Sequence, residues 1–215
     1  MEKVGIVTLY GEHNLGNKLQ NYALVQICKD LGFESDTISG GYSVIPVGWK
    51  GRLCALLGFP PQVAQEKRNI LRRYAKIKRF SDRYLNVVYY NLFKEAEKNC
   101  SDFYAVITGS DQVWHNWSMT EEELDYYFLR FVPEKKRICI SPSFGFESFP
   151  QKFLDKYAEG LRGFRQLSCR EDHGCDMIRE LIGEEAQLLC YPTMMLWLAV
   201  VHLFQQIIEG FLNMP

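Results

Sequence analysis

Four short polar stretches hold the side chains able to do chemistry in this sequence. "LYGEHNLGNKLQNYAL" (9–24) carries three asparagines and a glutamine between glycines; "GSDQVW" (109–114) presents a carboxylate in a Gly-Ser-Asp turn; "SPSFG" (141–145) pairs hydroxyls with a glycine; "SCRED" (168–172) sets Arg170 beside Glu171 and Asp172. Asp111 is placed either to act as a general base toward a hydroxyl or to cap the next turn. Arg170 either pairs with the neighbouring acids or turns its planar fork to a carboxylate or phosphate. Trp114 and Trp117 offer either a stacking surface for a sugar ring or aromatic core packing, the commoner fate. Cys169, His173 and Cys175 follow no common zinc spacing, and no second compact pair completes four ligands, so no metal is expected. The sequence holds no G-x-S-x-G elbow, and no cysteine stands out as a nucleophile.

The opening stretch is neither a dinucleotide fingerprint, whose glycines are closer together, nor a P-loop, since Asn17 separates Lys18 from Gly16. A helix N-terminus there still favours a phosphate or carboxylate through its unpaired N–H groups. Asn14 or Asn17 alternatively serves as a plain N-cap, a contribution of about 1 kcal/mol. One cap does not account for a cluster that also includes Gln20 and Asn21.

The elements that must position these groups follow from periodicity. Val4 to Leu9 reads as a buried strand, a helical stripe (Ala23, Ile27, Leu31) follows from Asn17, and Gly32 sits at the left-handed cap position. "FESDTI" alternates as a second strand, completing a βαβ unit and implying a parallel sheet. Tyr104–Thr108, "KRICISPSFG" (136–145), "FRQLSCRED" (164–172) and "AQLLC" (186–190) read as further strands, with a helix in "GCDMIRELIG" (174–183). In an open parallel sheet the strand C-terminal ends share one edge, so the clusters 11–21, 109–114, 143–145 and 170–173 are expected to converge on one crevice. The fold class expected is α/β: a Rossmann-like open parallel sheet with helices on both faces.

Residues 39–61 read as a Gly-, Pro- and Trp-containing loop, and 62–83 as a long helix rich in Lys and Arg. That basic helix is either a solvated face or a surface for an anionic acceptor, a lipid-linked or nucleotide-linked sugar, with peripheral membrane contact. A net charge of −1 favours neither nucleic acid nor a membrane overall, and 14% aromatic residues support a packed core. The N-terminus lacks the features of a signal peptide, and seven scattered cysteines fit reduced thiols, so a cytoplasmic location is expected. No window reaches the length of a membrane span; the closest, "MMLWLAVVHLF" (194–204), is too short.

Taken in order, "GIVTLYGEHNLGNKLQNYAL", "YAVITGSDQVW", "YFLRFVPEKKRICISPSFG", "LSCRED" and "LLCYPTMML" resemble the polysaccharide pyruvyl transferases over residues 1 to about 196. The resemblance implies a glycosyltransferase-B-like architecture of two Rossmann-like halves. It implies transfer of the enolpyruvyl group of phosphoenolpyruvate, with no further cofactor, to a sugar hydroxyl of a cell-surface glycan. Arg170, in the place of the arginine of the family's Ser-x-Arg-Glu motif, becomes the expected donor contact and, with Asp111, the catalytic candidate. Asn14, Asn17, Gln20, Asn21, Gly109, Ser110, Gln112, Trp114, Ser143, Gly145 and Glu171 become the candidate substrate-binding residues. The sequence departs from the family pattern at Pro142 and at Tyr191, where an aspartate is usual. Family members run on through a second domain, so residues 1–193 are expected to be an N-terminal part and 194–215 an apolar tail from truncation, prone to self-association. An inactive remnant that binds a sugar or nucleotide, and a transferase using nucleotide sugars, are the alternative readings.

Overall fold

The β-branched run after Glu2 becomes β1 (Lys3–Val7) in a computed structural model that describes residues 2–10, 14–39, 75–89, 93–117 and 119–189. The amide-rich turn leads into α1 (Leu15–Asp30), and "ESDTIS" follows as β2 (Glu34–Ser39). Gly32 joins them with a φ of +82°, the left-handed conformation that a residue without a Cβ adopts at low cost. Residues 75–84 are helical (α2), followed by β3 (Val87–Tyr89), α3 (Phe93–Asn99) and β4 (Ala105–Asp111). The chain continues through α4 (Glu121–Tyr127), β5 (Arg137–Pro142), α5 (Leu154–Arg162), β6 (Leu167–Cys169), α6 (Asp172–Ile182) and β7 (Ala186–Leu188).

Five strands form one parallel sheet in the order β3-β2-β1-β4-β5. The chain moves outward from β1 and then returns to its other side, so the order reverses between β1 and β4. In open sheets of this kind ligands usually bind at the C-terminal strand ends beside such a reversal. This is an α/β, Rossmann-like fold, as the alternation of elements in the sequence implies.

β6 and β7 form a separate parallel pair, and a side chain fastens them to β5. Ser168 Oγ donates to the Cys139 carbonyl at 2.9 Å and accepts from the Ser141 N–H at 3.1 Å. Beyond it, the Arg170 N–H donates to the Pro142 carbonyl at 3.0 Å. The ladder is interrupted because Ser141 takes a φ of +49° and Pro142 has no N–H to give. These bonds bring the end of β6 level with the end of β5.

Alternate side chains divide the core. Val4, Ile6, Ala105, Ile107, Ile138 and Ile140 meet Leu24, Ile27 and Cys28 of α1 on one face. Val7, Val106 and Cys139 face the larger, aromatic cluster on the other, with Leu124, Tyr157, Leu161 and Ile178 from α4, α5 and α6. Period-2 alternation across strands buried on both faces produces this pattern.

Some elements differ from the sequence expectation. Helix α1 begins earlier, because the cap is Asn14: its Oδ1 accepts the Asn17 N–H at 3.3 Å, which leaves Asn17 inside the first turn and 6% exposed. The sequence reading did not include β3, α3, α4 or α5. For α4 a signal was present, since Thr120 and Glu123 have capping-box spacing and Thr120 Oγ1 accepts the Glu123 N–H at 3.2 Å. Of the expected basic helix, 75–84 is described and its Lys76, Lys78, Arg79 and Arg83 are exposed. The rest of that helix, most of the loop before it and the apolar tail lie outside the described residues.

The cap makes a direct prediction. Asn14→Ala should lower stability by about 1 kcal/mol, read as a fall of a few degrees in melting temperature. A loss well below this would show that Asn14 is not held by its capping role.

Candidate functional site

Strand β4 ends on a backbone that the surrounding chain holds in an unusual form. Gly109 has a φ of +121° and Asp111 a φ of +109°, far from where a residue with a side chain rests. The Asp111 carbonyl accepts N–H groups from Val113 at 2.7 Å and Ser143 at 2.9 Å, and its Oδ1 accepts the Gln112 N–H at 2.9 Å. Strain of this kind persists only where neighbours over-determine it, and it clusters at functional sites.

The loop after Asp111 is held from below. Trp114 is fully buried, 5.5 Å from Phe128 and 5.1 Å from Phe144 between ring centroids, and the Tyr157 hydroxyl donates to its carbonyl at 2.7 Å. The structure thus places Trp114 in the core, with no face open to a ligand; its size and the apolar cluster beneath the loop decide this. From the side, Gly145 (φ +66°) lies so close to Gln112 that a Cβ there would press on the Gln112 side chain. The β4 and β5 loops therefore interlock, with Ser143 buried between them.

Arg170 arrives at the same point from β6. Its Nε donates to Glu171 Oε1 at 2.8 Å, and its Nη1 stands 3.7 Å from Asp111 Oδ1. The two side chains are about one-fifth exposed, at 22% and 19%. The contact with Glu171 is a tight charge-assisted bond, whereas 3.7 Å exceeds the usual 2.7–2.9 Å of such pairs. The Arg170 fork is thus committed on one edge and only loosely engaged on the other. Asp111, Gln112, Ser143, Gly145, Arg170 and Glu171, expected to converge from the sequence, meet at the ends of β4, β5 and β6.

The α1 amides distribute differently. Asn14 is exposed at the cap, but Asn21 has no exposure and its Oδ1 accepts the Thr37 hydroxyl of β2 at 3.0 Å. Asn21 therefore binds helix to strand rather than facing a ligand, and its Nδ2 has no protein partner. Gln20 is half-buried in the same helix. Ser110 is fully buried: its carbonyl accepts the Thr8 hydroxyl at 3.2 Å, tying β4 to the end of β1, while its Oγ has no partner.

Two features of this edge lie outside the sequence reading: the burial of Lys18, and the pairing of His115 with Trp117, of which Trp117 alone is a sugar-stacking candidate by sequence. Lys18 is 2% exposed, with its ammonium 2.7 Å from the centroid of the Tyr10 ring. A cavity of about 40 Å³ lies beside them, bounded also by Ser81, Asp82 and Tyr89. Burial pushes the Tyr10 hydroxyl up to about 12. The second feature is a ring pair, His115 and Trp117, stacked at 3.9 Å. The Lys18 burial had no sequence signal, since lysine is seldom enclosed.

Metal ligation has no geometric support among the described residues, where no cluster of His, Cys, Asp and Glu is arranged to hold an ion. Cys169 and Cys175 are buried, while His173 is exposed and meets the Glu147 carbonyl. Burial pushes the Cys139 thiol up to about 11 and the Cys28 and Cys169 thiols up to about 12, which disfavours the thiolate that a nucleophile needs. These groups keep their protons longer in the folded than in the unfolded chain. Their contribution to stability is complete below the unfolded thiol range and is lost as pH rises through about 12. Urea midpoints should therefore fall from pH 8 to pH 10.5; a midpoint that rises over this interval would contradict the assignment.

Fold and site together define a Rossmann-like α/β protein with an Asp–Arg pair at the C-terminal strand ends. The family model for polysaccharide pyruvyl transferases matches residues 14–199, a range that includes Asp111 and Arg170. The chain belongs to the polysaccharide pyruvyl transferase family. No curated protein and no solved structure matches it. No helix among the described residues is long and apolar enough to cross a membrane.

Proposed function

We propose that this chain takes part in moving the enolpyruvyl group of phosphoenolpyruvate onto sugar hydroxyls of a cell-surface glycan, closing a pyruvate ketal. The observation that carries the reading is the meeting of Asp111 and Arg170, 3.7 Å apart, from strands far separated in sequence. A donor with a carboxylate and a phosphate needs a cationic fork, and an attacking hydroxyl needs a base; this pair supplies one of each.

In the reaction the donor CH₂ carbon takes up a proton, C2 becomes electron-poor, and one sugar hydroxyl adds there as the C2–O bond to phosphate breaks. A second hydroxyl of the same sugar adds in turn. Of the two protons released, one balances the new methyl group and the other leaves with inorganic phosphate. Arg170 is assigned to the donor anion, whose approach displaces the loose contact to Asp111. The freed Asp111 carboxylate then accepts the hydroxyl proton. Asn14 and Gln112 line the acceptor side, and a second domain facing these strand ends completes the donor site.

The test is the reaction run in deuterated water with phosphoenolpyruvate and diol-bearing glycosides, with and without a C-terminal family domain added in trans. The reading predicts a ketal whose methyl group carries solvent deuterium, together with equimolar phosphate. Binding of sugars without turnover in either setting favours a binding module. Turnover of nucleotide sugars favours glycosyl transfer.

A further inference from the structure

Trp117 follows Trp114 by three positions in the same loop, yet its environment is opposite. Trp114 is enclosed in the aromatic core, whereas Trp117 is 54% exposed. An exposed indole is usually mobile, but this one is held on two sides. Its Nε1–H donates to the Gln112 carbonyl at 3.4 Å, and its ring lies on His115 at 3.9 Å with 20° between the planes. His115 in turn leans toward Phe146 at 5.9 Å, which joins the buried cluster through Phe144 and Phe149. The indole is thus the outer end of a continuous ring column rising from the core.

The position of that column matters. Gln112 gives its carbonyl to Trp117 and its N–H to the Asp111 carboxylate. One residue therefore links the exposed ring to the group assigned as base. The polar neighbour of the indole is the Gln112 carbonyl, and the Gln112 side chain itself packs on Gly145. A flat apolar face with a hydrogen-bonding group beside it suits a pyranose, which offers C–H bonds on its face and hydroxyls around its rim.

We propose that Trp117, stacked on His115 and hooked to the Gln112 carbonyl, is the platform on which the acceptor sugar ring lies beside Asp111. This rests on the pyruvyl-transfer reading for the identity of the sugar as acceptor. Burial keeps His115 below its ordinary value, so the support under the indole is a neutral ring near pH 7 and the platform suits an uncharged ligand face. Trp114 anchors the loop and Trp117 uses it.

The test follows the indole N–H signal of Trp117 in the full chain by nitrogen–proton correlation, assigned with Trp117→Phe. Methyl glycosides of glucose, galactose, mannose and N-acetylglucosamine are titrated, with uridine as the comparison. At least one glycoside should shift the signal to saturation. Trp117→Ala should weaken that glycoside about tenfold, and Trp117→Phe, which keeps a ring, by no more than about threefold. Phosphoenolpyruvate binding should be unchanged in both variants. The wild-type signal reports directly, so the result does not hinge on a variant folding. No shift with any glycoside, or a shift with uridine alone, overturns the platform. Glycoside binding in a chain that ignores phosphoenolpyruvate leaves the sugar platform standing and removes the pyruvyl reading instead.

Discussion

Arg170→Ala should reduce phosphoenolpyruvate-dependent phosphate release by about 10²–10³-fold, the usual consequence of removing one preorganised donor to developing negative charge. The guanidinium is held on one edge by Glu171 at 2.8 Å and is only loosely engaged by Asp111 at 3.7 Å. That leaves a planar fork available to an anion. Arg170→Lys keeps the charge but loses the fork, so it should recover only part of the activity. A purely structural arginine would behave otherwise: either substitution would lower the melting temperature and leave the activity of the folded fraction intact. Thermal melts and steady-state rates on the same samples separate the two cases.

The second large effect concerns stability. Gly109→Ala should cost upward of about 3 kcal/mol, because two penalties combine at one position. Its φ of +121° suits glycine, and an added Cβ would collide with the Ile140 carbonyl oxygen on the neighbouring strand. Gly109 and Ile140 are register partners, so relief requires β4 and β5 to separate. Gly183 provides the control. It also has a positive φ, +74°, but nothing lies within 4 Å of where a Cβ would stand. Gly183→Ala should therefore cost only about 1 kcal/mol. Urea unfolding of the two variants measures the difference, and equal midpoints would show that the close approach at Gly109 carries no penalty.

Gly109 and Arg170 show why parts of the site were legible in the sequence. Gly-Ser-Asp after an apolar run marks a strand ending in a sharp turn, and the parallel-sheet logic places such turns on one edge. Arg170 followed the same rule at the end of β6. What periodicity could not show was how the ends of β5 and β6 become level. That depends on the Ser168 hydroxyl substituting for ladder hydrogen bonds where Ser141 and Pro142 break the strand. Nor could spacing separate Trp114 from Trp117, since three residues in a loop have no fixed period. The choice was made by the aromatic cluster beneath, which encloses the first ring and supports the second. Asn21 shows the same limit: a polar residue on a helix reads as a ligand group or a seam bond alike until its partner, Thr37, is known. The short helices were missed for want of a long apolar stripe, although Thr120 and Glu123 had marked the start of α4 by their spacing alone.

The central claim is that the site at the ends of β4, β5 and β6 holds an anionic enolpyruvyl donor on Arg170. Equilibrium binding of phosphoenolpyruvate to the folded chain, followed through its phosphorus resonance, tests it most directly. Saturable binding that weakens at least about tenfold in Arg170→Ala, with folding unchanged, is the predicted result. Binding of equal strength to the variant, or no binding in a chain that takes up nucleotide sugars, would contradict it.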